Sequence, residues 1–153
     1  MTGEPIDAEL AAAQEALVRH MAAGGPLPPG FDAGAVRSAA AGVLRKRAGQ
    51  AARAWPGLAA AYGPRWTEVF TAWAARRPTR GSTRDAWDFA RDNREDLPPA
   101  AAWELAIAET RWAYDGDAAP RRRAVAVRRV PGGCAVQVRG RVHVFGKART
   151  GDR

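Results

Sequence analysis

The chain has 153 residues, of which 46% are apolar and 26% charged, with six tryptophans and a net charge of +8. These values fit one globular domain, with or without a small appendage, and exclude a wholly disordered chain. No run approaches the ~20 apolar residues of a membrane span, and residues 1–25 lack the basic start and apolar stretch of a signal peptide, so a cytoplasmic protein with no membrane partner is expected.

In chain order, the first segment reads as a helix. Ile6, Leu10, Ala13, Leu17 and Met21 recur at spacings of three and four until Gly24-Gly25. His20, near its end, reads as a cation at the negative pole of the helix dipole. The turn-rich stretch 26–30 follows, and Asp32 is a natural N-cap for a second helix carrying Val36, Val43, Leu44, Ala51 and Trp55. Pro56 opens a short helix to Tyr62, and Pro64 another to Ala75. There Trp66, Val69, Phe70 and Trp73 form one apolar stripe at i, i+3, i+4 and i+7.

Ser82 with Asp85 three residues on resembles a capping box opening a fifth helix with Trp87 and Phe89. Pro98-Pro99 starts a sixth, carrying Trp103, Ile107, Trp112 and Tyr114. After Gly116 the period changes from 3.6 to 2. Val125 and Val127 alternate in one run, and Val136, Val138, Val142 and Val144 in the next, with Pro131-Gly132-Gly133 as the turn between them. The Val face is expected to rest on the helices. The opposite face would then present Gln137, Arg139, Arg141 and His143, with Gly140 marking a bulge or a further turn. The fold expected is mainly α, a five- or six-helix orthogonal bundle over 5–115. A basic antiparallel hairpin or three-stranded appendage over 116–149 and a flexible tail over 150–153 complete it.

Charge follows the same boundary. Residues 1–115 carry 14 basic and 14 acidic side chains, whereas residues 116–153 carry 10 and 2. The tail supplies the whole excess, which invites an anionic partner, either nucleic acid or acidic peptide. Arg45, Lys46 and Arg47 on the second helix, with Arg121, Arg122 and Arg123, are candidate phosphate contacts. Arg128, Arg129, Gln137, Arg139, Arg141 and His143 are candidate contacts for an extended peptide added to the sheet edge. Both partners need an exposed strand and positive charge, so the pattern alone does not separate them.

Catalytic signatures are missing. His20 and His143 have no carboxylate or cysteine at ligand spacing, and no HExxH, Gly-rich phosphate loop or GxSxG elbow occurs. Asp85, Asp88 and Asp92 share a helix face, but interleaved Arg84, Arg91 and Arg94 favour a solvated, salt-bridged surface over a metal site. Cys134 is the only cysteine, which rules out an internal disulfide, and reads as strand filler more readily than as a reactive thiol. No catalytic residue, metal ligand or cofactor is assigned to the chain.

Several of these residues also carry a resemblance. Leu44-Arg45-Lys46-Arg47, Trp55-Pro56, Tyr62-Gly63-Pro64-Arg65-Trp66, Phe70, Pro78, Gly81-Ser82, Asp85 and Phe89 are similar in order and spacing to a bacterial helical domain known under a DNA-binding label. Ala108-Glu109-Thr110-Arg111-Trp112-Ala113-Tyr114 resembles its closing helix, and the basic tail looks like the actinobacterial version. The resemblance spans roughly residues 7–115. It implies a cytoplasmic partner subunit of a multinuclear non-haem iron, TIM-barrel oxidative enzyme, like the small partner in methanobactin biosynthesis. Such a subunit binds the leader of a ribosomally made precursor peptide and docks on the enzyme as a heterodimer, with the iron in the barrel. The small size and arginine-loaded hairpin depart from that pattern and imply leader contacts of a different kind. A DNA-binding regulator of winged-hairpin type is the alternative, and an interaction module for an unrelated partner a third.

Overall fold

The computed structural model describes residues 4–23, 26–130 and 132–146. Six α-helices lead into five short strands. The helices are α1 (Glu4–Ala23), α2 (Ala33–Ala54), α3 (Pro56–Tyr62), α4 (Trp66–Ala74), α5 (Ser82–Asp92) and α6 (Pro99–Arg111). The strands are β1 (Trp112–Ala113), β2 (Arg121–Arg122), β3 (Val125–Val130), β4 (Gly133–Val138) and β5 (Arg141–Gly146). The expected mainly-α bundle with a small antiparallel appendage is what forms. Among the described residues no helix is long and apolar enough to cross a membrane.

Local chemistry explains the helix ends. Asp32 caps α2, its Oδ1 accepting from Ala35 N at 2.5 Å. Pro56 sits in the first turn of α3, where a missing N–H costs nothing. The adjacent N–H groups of Gly57 and Leu58 donate to the Glu104 carboxylate of α6, at 3.4 and 2.5 Å. One acidic side chain thus caps α3 and ties it to α6. The α4 stripe works as its spacing indicates: Trp66 and Phe70 are buried, with Val69 and Trp73 packed around them. Leu58, Phe70, Trp87, Phe89 and Leu105, from α3 to α6, make up much of the core.

Three expectations change. The N-cap of α5 is Gly81, not Ser82, and Asp85 is buried rather than the far half of a capping box. Helix α6 ends at Arg111. Trp112 is extended (φ −129°, ψ 142°) because β2 returns alongside it, pairing Trp112 with Arg122 and Ala113 with Arg121. Backbone pairing supplied from a distance outweighs the local helical pattern there.

The third change concerns the sheet faces. Strands β3, β4 and β5 form one antiparallel sheet in that order. A two-residue turn at Arg139 (φ 49°) and Gly140 (φ 83°) joins β4 to β5 and pairs Val138 with Arg141 and Gln137 with Val142. Val136 and Val138 therefore share a face with Arg141 and His143, while Val142 and Val144 lie on the other. The face against α6 carries Ala126, Gly133, Ala135 and Gln137, and Gln137 is only 3% exposed. Most of the valines expected inside are exposed: Val125 is 66% exposed and Val127 52%, with Phe145 beside them at 59%, whereas Val142 is half-buried on the side of Gln137. Small residues are needed within because the sheet lies close to Trp103 of α6. A Cβ at Gly133 would stand 2.8 Å from that indole and 2.2 Å from Phe145 O. The Pro131 part of the expected turn, and residues 147–153, lie outside the described residues.

Candidate functional site

Buried carboxylates organise the arginines, and this decides which cations face solvent. Asp85 on α5 accepts from Arg47 Nε (2.7 Å), Thr79 Oγ1 (2.7 Å) and Arg80 N (2.8 Å). Arg47 also donates to the carbonyls of Ala74, Arg77 and Pro78. Arg47 is therefore a clamp on the α4–α5 connection, not a phosphate contact, whereas its neighbours Arg45 and Lys46 are exposed. Glu109 on α6 receives Arg91 Nε at 3.0 Å and Arg94 Nη2 at 2.6 Å, with Arg128 Nε at 3.6 Å. Arg91 and Arg94 thus pair with α6 rather than with the aspartates of their own helix face. Arg128 turns toward the bundle and helps fasten β3 to it through Glu109.

A cleft of about 410 Å³ runs between α4, α5 and the loop after β1, lined by Trp73, Arg77, Asp88 and Asp92 among others. Its charges are largely spent on one another. Asp92 Oδ2 accepts from Trp73 Nε1 (2.9 Å) and Arg77 Nη2 (3.0 Å). Tyr114 Oη lies 3.1 Å from Asp88 Oδ2 and 3.2 Å from Gly116 O. Burial raises the Asp88 carboxyl above its ordinary range, against the opposing hydrogen bond from Tyr114. Burial, then the Asp88 charge and hydrogen bond, push Tyr114 up to about 12. An unfolded chain ionises this tyrosine near pH 10, so between pH 10 and 12 the unfolded state sheds its proton first and stability falls. Tyr114→Phe is expected to flatten that alkaline fall, read from urea midpoints between pH 9 and 11.5. Among the described residues, no three His, Cys, Asp or Glu side chains come together as a metal-binding group.

Apart from Arg45 and Lys46, the remaining candidate cations lie on and around the strands. Arg129, Arg139, Arg141 and His143 are exposed, and all but turn residue Arg139 lie on the face that carries Val125, Val127, Val136, Val138, Cys134 and Phe145. This surface is apolar with basic groups among its valines, rather than a purely basic face. The outer edge of β5 has no strand partner among the described residues, leaving N–H and C=O groups of alternate residues for an added strand. Arg121 and Arg122 are exposed on β2, with the Arg122 guanidinium 5.1 Å from the Trp112 ring centre. Arg123 is half-buried, its Nε donating to Trp112 O at 3.2 Å. Gln137 is withdrawn inward, and its Nε2 donates to Arg123 O. The residues missed in the sequence are Glu109, the hub of three arginines, and Trp112. An acidic residue inside an apolar helix face, at Glu109, is the signal that marks the first.

Residues 11–95 match the model of the SCO6045-like C-terminal domain family. A UPF0276 protein of Streptomyces avermitilis is 36% identical over 88 residues, covering 57% of this chain and 18% of that protein. The match thus spans less than a fifth of the length of this curated relative. No solved structure matches.

Proposed function

The chain belongs to the SCO6045-like C-terminal domain family, and from that membership we propose that it is a non-catalytic partner module of a larger enzyme. In this reading it holds the leader of a ribosomally made precursor peptide and presents it to a multinuclear non-haem iron TIM-barrel oxidative enzyme. The carrying observation is the architecture of the relative, in which the homologous segment is a minor part of a much longer chain. A domain of this type works beside a larger body. The identification of that body and of the peptide rests on the resemblance in the helical residues, not on the comparisons.

The surface of the sheet supports the same reading. Valines exposed on one face, with Arg129, Arg141 and His143 among them, suit a partner that offers an apolar patch ringed by carboxylates. The larger body is the occupant this face fits, while the free edge of β5 fits an extended leader. Iron is placed in the larger partner, and the chain supplies binding and orientation.

The test is co-expression with an iron-dependent barrel enzyme, followed by gel filtration. A stable 1:1 complex is expected, and Val127→Asp with Val138→Asp should abolish co-elution while leaving the melting temperature of the isolated chain nearly unchanged, since both side chains are exposed. An unchanged complex removes this face from the interface. Stoichiometric iron in the pure chain, or turnover by it alone, overturns the reading. Sequence-selective DNA binding that persists near physiological salt would favour a regulator instead.

A further inference from the structure

A second cavity, about 210 Å³, lies where the end of α6, β1, β2 and the β4–β5 turn meet. Its lining is Arg111, Trp112, Arg122, Arg123, Gln137 and Gly140, with no carboxylate among them. That contrasts with Arg91, Arg94 and Arg128, which share Glu109. Arg111 and Arg122 form no ion pair among the described residues, and Arg122 is held against Trp112. The cavity is a concentrated positive site with a stacked aromatic wall.

Gln137 adds a second, independent feature. Its Nε2 must face the Arg123 carbonyl, so the amide orientation is fixed, and Oε1 is left buried with no hydrogen-bond partner among the described residues. A buried acceptor without a donor is costly, on the order of 1–3 kcal/mol, and such groups in folded proteins are rare. We infer that this cavity is a specificity pocket for one acidic residue of an extended peptide, whose carboxylate pairs with Arg111 and Arg122, while a small shift of the Gln137 side chain opens its Oε1, closed off in the unbound chain, to a main-chain N–H of the peptide. A nucleic-acid phosphodiester would satisfy the arginines but carries neither N–H nor O–H, so its oxygens would meet the Gln137 oxygen unfavourably. The volume is below the roughly 300–1,000 Å³ of small-molecule clefts, which suits a side chain entering from a longer ligand. This inference rests on the peptide-binding reading and locates its selectivity.

The experiment uses the full chain labelled with ¹⁵N and four probes. These are an acetylated, amidated ten-residue peptide with Glu at alternate positions, the same peptide with Gln, inorganic phosphate, and the oligonucleotide dT10. The Glu peptide should shift the Gln137 side-chain amide and the Trp112 indole N–H together, and the Gln peptide should not. Arg111→Gln with Arg122→Gln should weaken the Glu peptide about tenfold, the loss expected of two solvent-exposed ion pairs, with little change in melting temperature. Phosphate that shifts Gln137 as the peptide does would overturn the pairing and leave an anion site only. A peptide footprint confined to Arg129, Arg141 and β5 would sink the pocket but leave the partner reading standing. Absence of peptide binding would sink the pocket alone, because complex formation with the enzyme is measured separately. Tighter binding of dT10 than of the Glu peptide near physiological salt would sink the pocket, and the partner reading would stand or fall on the complex and on sequence-selective DNA binding.

Discussion

Asp85→Ala is expected to destabilise the chain by about 3–5 kcal/mol, lowering the urea midpoint by about 1–2 M at nearly constant m-value. Asp85 is 1% exposed and is the common acceptor for Arg47, Thr79 and Arg80. Removing it leaves the Arg47 guanidinium, itself nearly buried, without its counter-charge. It also removes the acceptor of the Thr79 hydroxyl and of the Arg80 N–H. The loop between α4 and α5 would lose the pin that sets its path, while the carbonyl contacts from Arg47 to Ala74, Arg77 and Pro78 lose their anchor. Arg47→Ala should cost a similar amount, and the double variant should lose clearly less than the two single losses added together. Full additivity would show that the two groups act independently and that the short 2.7 Å contact carries no coupling.

Phe70→Ala is the second large expected effect, again about 3–5 kcal/mol, because the ring is fully buried and its neighbours cannot collapse into the space. Phe70 lies 5.0 Å from Trp66, 5.5 Å from Trp73 and 5.6 Å from Phe89, ring centre to ring centre. These rings are large and held by one another, so a void at position 70 removes contacts on three sides. Phe70→Leu refills most of the volume and should cost less than half as much. The urea midpoint measures both, and the near-ultraviolet circular dichroism of Trp66 and Trp73 should change in the alanine variant. A loss under about 1 kcal/mol would mean that the stripe on α4 repacks freely and is not a rigid core.

Much of this core was legible in the sequence. The spacing of Trp66, Val69, Phe70 and Trp73 names a buried helix face, Asp32 marks the start of α2, and the change of period after Gly116 announces strands. The sheet faces were not legible from hydrophobicity, since a stripe of valines normally points inward. What overrode it is distance. Gly133 and Ala135 allow the sheet to approach Trp103, and bulkier side chains there would hold it away. The small residues at 126, 133 and 135 were the readable sign of that close approach. The candidate site was legible in its arginines but not in their fates, because pairing with Asp85 and Glu109 joins residues 38 and 15–19 positions apart. Such pairings follow from the packing of α2 on α5, of α5 on α6 and of the sheet on α6, which no local pattern specifies.

The separation of charge along the chain has a kinetic consequence. A neutral body bearing two small sheets and their turns, with seven arginines and one aspartate over residues 116–146, has a marked electric dipole, with its positive pole at the strands. In the field of an anionic partner such a molecule turns strand-first before contact, so a larger share of encounters begin in a productive orientation. Its association rate constant then depends steeply on ionic strength, while dissociation is governed by the valine face and short-range pairs and responds far less. Capture and retention are thereby assigned to different physical forces on the same small sheet.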